Sequence, residues 1–269
     1  MTNVTPNALS GAEIKSCCAR LYELDLVRLL LGDSYHPGGI ELTSELGRLA
    51  GITSGNRVLD VASGTGSSAI HLARTLECRV VGIDYSEENV GKANEAAAQA
   101  GLSRQVRFER GDSERLPVDD GSFDAILCEC AFCTFPDKTT AASEFRRVLS
   151  PNGRVALSDI TREATLPEEL ETVMAWAACI ADAQSLTGYG DILTENGLSL
   201  THAAEANGVL EEMLKLIRTR LMGLEIAVGL GKLDLGNLDF ASAKSMARAA
   251  QSAIESGQLG YGVIIAEKT

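Results

Sequence analysis

The 269-residue chain has no apolar run approaching the roughly 20 residues that a membrane span requires, and residues 1–10 are too polar for a secretion signal. No basic cluster exceeds a residue or two, and the formal net charge is −13. Neutralising a phosphate backbone takes a positive footprint, so no nucleic acid is expected as a partner. Seven cysteines, unevenly spaced, are too few for a disulfide framework in a chain of this length. Internal repeats, low-complexity tracts and obvious linkers are missing as well. These absences leave a soluble, cytoplasmic, globular protein as the expectation, with no membrane association. What is present is ordinary for that class: 45% hydrophobic and 23% charged residues, in a chain long enough to bury a full core.

Apolar spacing predicts a helix over 11–31, a loop at "SYHPGG" (34–39), and a second helix through "IELTSELGRLAGI". The rhythm then changes. Strands are expected at 57–62, 79–85, 106–112, 123–130 and 154–160, with helices at 66–76, 86–101 and 138–149 between them. Ser86 reads as the N-cap of the second of these helices and Gly101 as its stop. Strands alternating with helices imply a parallel sheet covered on both faces, and apolar strand cores such as "AILC" and "VVGI" agree. Beyond residue 160 helices are expected at 167–185, 190–197, 208–230 and 240–257, then a last strand at 260–268. The resulting organisation is one domain: a helical cap (1–55), a core (56–164), a helical insertion that covers the acceptor site (165–257), and a closing strand (258–269).

The stretch "VLDVASGTGSSA" (58–69) ends a strand in small residues, with Gly64, Gly66 and Ala69 at G-x-G-x-x-G/A spacing. Glycines there let the backbone approach a ligand at the carboxyl edge of the sheet, and Asp84 ends the next strand where an acid can take both hydroxyls of a ribose. Asp60 separates the candidate ligands. An acid in this turn repels a pyrophosphate, but through bound water it can help hold an ammonium group.

With "VVGIDYS", "VRFERGDSERLPVDDGSFDAI" and "RVLSPNGRVALSD" following in order, residues 57–160 resemble the class I S-adenosylmethionine-dependent methyltransferases. The resemblance implies an α/β fold, a doubly wound, mostly parallel seven-stranded sheet of Rossmann-like type, with S-adenosyl-L-methionine as cofactor. It also implies that Gly64 and Gly66 line the methionine moiety, that Asp84 takes the ribose, and that Asp112 with Ser113 meets the adenine. Tyr85 and Cys128 complete the expected cofactor set. Ala62 stands where the family's first glycine would be, a replacement that fits if the position keeps a negative φ.

The acceptor is expected beyond the fourth strand, at "FDAILCECAFCTFPDK", where a proton-abstracting methyltransferase would show His, Glu or Lys. Three cysteines in six residues suit a soft electron-pair acceptor instead. The resemblance extends to the arsenite methyltransferases, which implies Cys130 and Cys179 as thiolates holding a metalloid substrate, trivalent arsenic, with its lone pair aimed at the methyl group. Cys133 is grouped with them as catalytic, and Cys17 or Cys18 as a resolving partner, with an external thiol as a possible reductant. Two other readings stand beside this one. A small-molecule C- or O-methyltransferase, similar to the quinone and sterol enzymes, would use the same core. A metal-binding protein would use Cys128, Cys130 and Cys133, though C-x-C-x-x-C is an uncommon zinc spacing. The bland alternative for any of these thiols is a small buried hydrophobe, the expectation for Cys78. His36 reads as a loop residue and Trp176 as core.

Overall fold

The computed structural model describes residues 10–32, 34–167, 170, 180, 182–235 and 239–269. Helix α1 (Gly11–Glu23) opens on a capping box in which Ser10 and Glu13 satisfy each other's backbone N–H groups. The single helix expected over 11–31 is broken. Leu24 adopts an extended conformation (φ −70°, ψ 129°), and α2 (Asp25–Leu31) starts after it. Apolar periodicity runs through the break, so spacing alone does not reveal it. The turn containing His36 leads into α3 (Gly39–Leu49), which buries Leu42 and Leu46.

The core then alternates β1 (Arg57–Val61), α4 (Ser67–Leu76), β2 (Arg79–Asp84), α5 (Glu87–Gln99), β3 (Val106–Arg110), β4 (Phe123–Glu129), α6 (Lys138–Val148) and β5 (Leu149–Arg162). After it come α7 (Leu186–Glu195), β6 (Leu198–Glu205), α8 (Asn207–Gly229), α9 (Phe240–Glu255) and β7 (Leu259–Lys268). The seven strands form one sheet in the order β3-β2-β1-β4-β5-β7-β6. β1 through β5 pair in parallel, and β7 inserts antiparallel between β5 and β6. This is the expected doubly wound, mostly parallel sheet. Leu59, Ile126, Leu127 and Ala156 have no exposed surface, as strands covered by helices on both faces require.

A second departure lies nearer the carboxyl terminus. Residues 198–205, inside the segment read as helical, form the edge strand β6, whose residues after Leu198 are mostly exposed. Most of the helix expected at 167–185 lies outside the described residues. No helix among the described residues is long and apolar enough to cross a membrane.

Candidate functional site

From β1 the sheet runs outward in two directions, to β2 and β3 on one side and to β4 and β5 on the other. Connections from the two central strands therefore diverge, and a cleft opens at their carboxyl ends. The space along it amounts to about 1060 Å³, open solvent included. Four strand ends supply its floor in spatial order: Asp112 and Ser113 after β3, Asp84 and Tyr85 at β2, Asp60, Ala62 and Gly64 at β1, Glu129 and Cys130 at β4. At about 4.8 Å per strand this floor spans roughly 14 Å. The roof comes from α1, through Lys15, Cys18 and Tyr22, and from the turn before α3, through Tyr35 and His36.

Carboxylates dominate the floor. Asp84 Oδ2 accepts the Gly64 N–H at 2.8 Å and Oδ1 accepts the Ser86 N–H at 2.9 Å, which ties the glycine loop to the end of β2. Asp60 is 3% exposed and its Oδ2 has no hydrogen-bond partner. Burial, and then the charges of Glu129 and Asp84, push the Asp60 carboxyl well above the usual carboxylate range. Burial raises Asp84 as well. At the far end Lys15 Nζ bridges Asp112 (2.8 Å) and Glu114 (2.5 Å). Burial pulls the Lys15 ammonium down, and these two carboxylates more than reverse it. Glu23, at the other end of α1, accepts the Ser86 hydroxyl at 2.6 Å, so the helix is fastened over the cleft at both ends.

A sequence profile described as "Methyltransferase domain" matches residues 52–205. The 27-O-demethylrifamycin SV methyltransferase of Amycolatopsis mediterranei is 30% identical over 224 residues, 77% of this chain and 79% of that protein. The chain belongs to the methyltransferase-domain family. It is an S-adenosylmethionine-dependent methyltransferase. An arsenite methyltransferase of Halobacterium salinarum is 30% identical over 158 residues, 58% of this chain but only 40% of that protein. In fold, the methyltransferase matches phosphoethanolamine N-methyltransferase 2 of Haemonchus contortus, solved with S-adenosyl-L-methionine, with a TM-score of 0.79 at 18% identity, covering 95% of this chain and 60% of that one.

The cleft fits that cofactor. A ligand bearing an ammonium and a sulfonium supplies the positive charge that Asp60, Asp84 and Glu129 lack, whereas a pyrophosphate would add to their repulsion. Asp60 Oδ2 is buried without a partner, a carboxylate whose charge such an ammonium would compensate through bound water. Gly64 holds φ +53°, a left-handed conformation that side chains disfavour, while a Cβ there would make only an ordinary contact with the Tyr35 ring at 3.4 Å.

Of the residues singled out in the sequence, Asp60, Ala62, Gly64, Asp84, Tyr85, Asp112, Ser113 and Cys130 line the cleft of the methyltransferase. Others do not. Gly66 seats the Phe108 ring, which a Cβ would meet at 2.4 Å, and caps α4. Cys128 has no exposed surface, and burial drives its thiol well above the ordinary value. Cys133 is 1% exposed and donates its backbone N–H to Asp159 at 2.9 Å. Both are core residues because β4 and the 3₁₀ turn after it (Phe132–Thr134) point these side chains inward. Cys179 and Trp176 lie outside the described residues. Cys78 is buried as expected, its thiol pushed up to about 11. Ala62 departs from its expectation, with φ +59° rather than a negative value.

Two residues of the cleft were not read as functional in the sequence. His36 is buried, with Nε2 3.2 Å from Ser68 Oγ and 3.5 Å from Glu129 Oε2. Glu129 accepts the Thr43 hydroxyl at 3.0 Å. The signal for Glu129 was its place as the last residue of a strand that feeds the ligand edge, masked by the cysteines on either side. None of the described cysteines forms a disulfide, and no cluster of three metal-ligating side chains occurs among the described residues.

Proposed function

We propose that this methyltransferase acts on a small organic acceptor at a hydroxyl group, with His36 as the base that takes the hydroxyl proton. The observation that carries this reading is the buried pairing of His36 with Glu129 at the β4 end of the cleft. The Pro37 carbonyl lies 3.2 Å from His36 Nδ1 and can only accept, so Nδ1 carries a proton and, in the neutral ring, Nε2 holds the lone pair. Ser68 and Thr43 hold the edge of the ring and the carboxylate in place. When Nε2 takes a proton, Glu129 lies on the side where the new charge forms. S-adenosylmethionine, when bound, supplies an electrophilic methyl group, and the protein's part is to orient the acceptor and accept its proton. The similarity to a rifamycin methyltransferase over most of the chain supports an organic acceptor.

A second reading has its own support. Cys130 and Cys18 line the same cleft, and soft thiolates suit a thiophilic acceptor such as trivalent arsenic. The two readings separate in one experiment. Turnover is measured with a panel of phenolic and alcoholic acceptors and with arsenite plus a thiol, for the parent, His36→Gln and Cys130→Ser. On the first reading His36→Gln lowers kcat by about 10²- to 10⁴-fold while cofactor affinity holds, and Cys130→Ser keeps most of its activity. Arsenite turnover that survives His36→Gln and vanishes in Cys130→Ser would replace the hydroxyl acceptor with the metalloid.

A further inference from the structure

Charge is unevenly distributed along the cleft. At the β3 end Lys15, the one lysine or arginine among its lining residues, is fully engaged by Asp112 and Glu114. At the β1 and β4 ends Asp60 and Glu129 line the same space, with no lysine or arginine beside them among the described residues. Glu129 is the more telling of the two. Its side chain is 4% exposed, it ends β4 at the opposite end of the cleft from Asp112, and its partners are a neutral hydroxyl, Thr43, and the imidazole of His36. A carboxylate withdrawn from water with partners this weak is costly unless a cation joins it.

Methyl transfer changes the ligand's charge at one atom. The acceptor's lone pair forms the new bond to carbon, the electrons of the broken bond stay on sulfur, and the sulfonium becomes a neutral thioether. The ammonium group is the same before and after. An acid near the ammonium therefore attracts donor and product equally, while an acid near the sulfur distinguishes them.

We infer that Glu129 is a specificity-determining residue of the cofactor site, making the cleft hold the charged methyl donor more tightly than the uncharged thioether product. Asp60, beside the glycine loop, faces the common ammonium and does not discriminate. The strand order supports this division. A ligand laid from Asp112 past Asp84 fills the β3 and β2 ends with adenosine, which brings its sulfur and methyl group toward β4. Such a site expels its product by removing the charge that bound the substrate, and it limits inhibition by accumulated thioether.

Binding without acceptor tests this independently of the reading of His36. Titration calorimetry of the whole protein with S-adenosylmethionine and with S-adenosylhomocysteine gives the affinity ratio directly. The parent is expected to prefer the sulfonium by about tenfold, the scale of one partly screened charge pair. Glu129→Gln, which still accepts the Thr43 hydroxyl, should bring that ratio close to one by weakening the sulfonium ligand and leaving the thioether nearly unchanged. Asp60→Asn should weaken both ligands by a similar factor. A parent that binds the two equally, or prefers the thioether, overturns the inference without any variant. So does Glu129→Gln if it weakens both ligands alike, since the carboxylate would then be serving the ammonium or the fold.

Discussion

Two residues at the ends of adjacent strands hold backbone conformations that side chains disfavour: Ala62 after β1 at φ +59° and Cys130 after β4 at φ +50°. Both border the ligand cleft, and strain of this kind collects where a site over-determines the chain. At Ala62 the strain is separable from chemistry, because its methyl group makes no hydrogen bond and the neighbouring Gly64 and Gly66 also have positive φ. A left-handed conformation costs a non-glycine residue roughly 1–2 kcal/mol, and the entropy that glycine loses on folding returns about 0.5–1 of it. Ala62→Gly should therefore stabilise the protein by about 0.5–1 kcal/mol in chemical denaturation, with cofactor affinity little changed. Destabilisation would mean that the methyl group packs productively despite its backbone.

Apart from β6, the strands of the sheet were legible because each carries its own signal. Parallel strands buried on both faces read as apolar runs, and the glycine loop, Asp84 and Asp112 fall at strand ends that the alternation places on one edge. β6 was not legible. "LSLTHAAE" buries its first residue and exposes most of the rest, so neither an apolar run nor a clean alternation marks it; β7 alone makes it a strand. The pairing of His36 with Glu129 was hidden for a different reason: 93 positions separate them, and the packing of α3 on α4 and β5 brings the turn before α3 to the end of β4. Glycines show how closely these elements fit. The Phe108 ring of β3 lies over Gly66 at the start of α4 and Gly82 of β2, where Cβ atoms would sit 2.4 and 2.2 Å from it. Gly66→Ala would force the ring from one glycine onto the other while placing an alanine at φ +84°. Overpacking at about 1–3 kcal/mol and the left-handed cost together predict a loss of about 3 kcal/mol or more. An urea midpoint near the parent's would show that Phe108 has room to move.

At the scale of the whole molecule, the acidic cleft sets two groups of carboxylates against each other as pH changes. Outside the cleft, Glu144 is held below the usual range by its hydrogen bonds with Arg147, and Asp137 by capping Thr140. A carboxyl with a depressed folded value stabilises the fold above its unfolded value, near pH 4, and that contribution is lost as pH falls through the folded value. Asp60 and Asp84 behave oppositely. Their folded values are raised by burial, so the ligand-free native state binds more protons than the unfolded chain from near pH 4 up to those values. Its stability should fall as pH rises through that window. The charged groups nearest Asp60 sharpen this effect, since Glu129 on β4 and Asp84 on β2 are both acids. A bound cation favours ionised Asp60, so the cofactor's stabilisation should grow with pH across the same window. Thermal melts between pH 5 and 8 with and without saturating S-adenosylmethionine check this: the ligand-induced rise in Tm should increase with pH, while the ligand-free Tm declines. In Asp60→Asn the ligand-free protein should be more stable than the parent at neutral pH, and the cofactor's effect should be smaller and flatter with pH. A ligand-induced shift that stays constant across the range in the parent would mean that the cofactor leaves the protonation of Asp60 unchanged, and the ammonium would then need another partner.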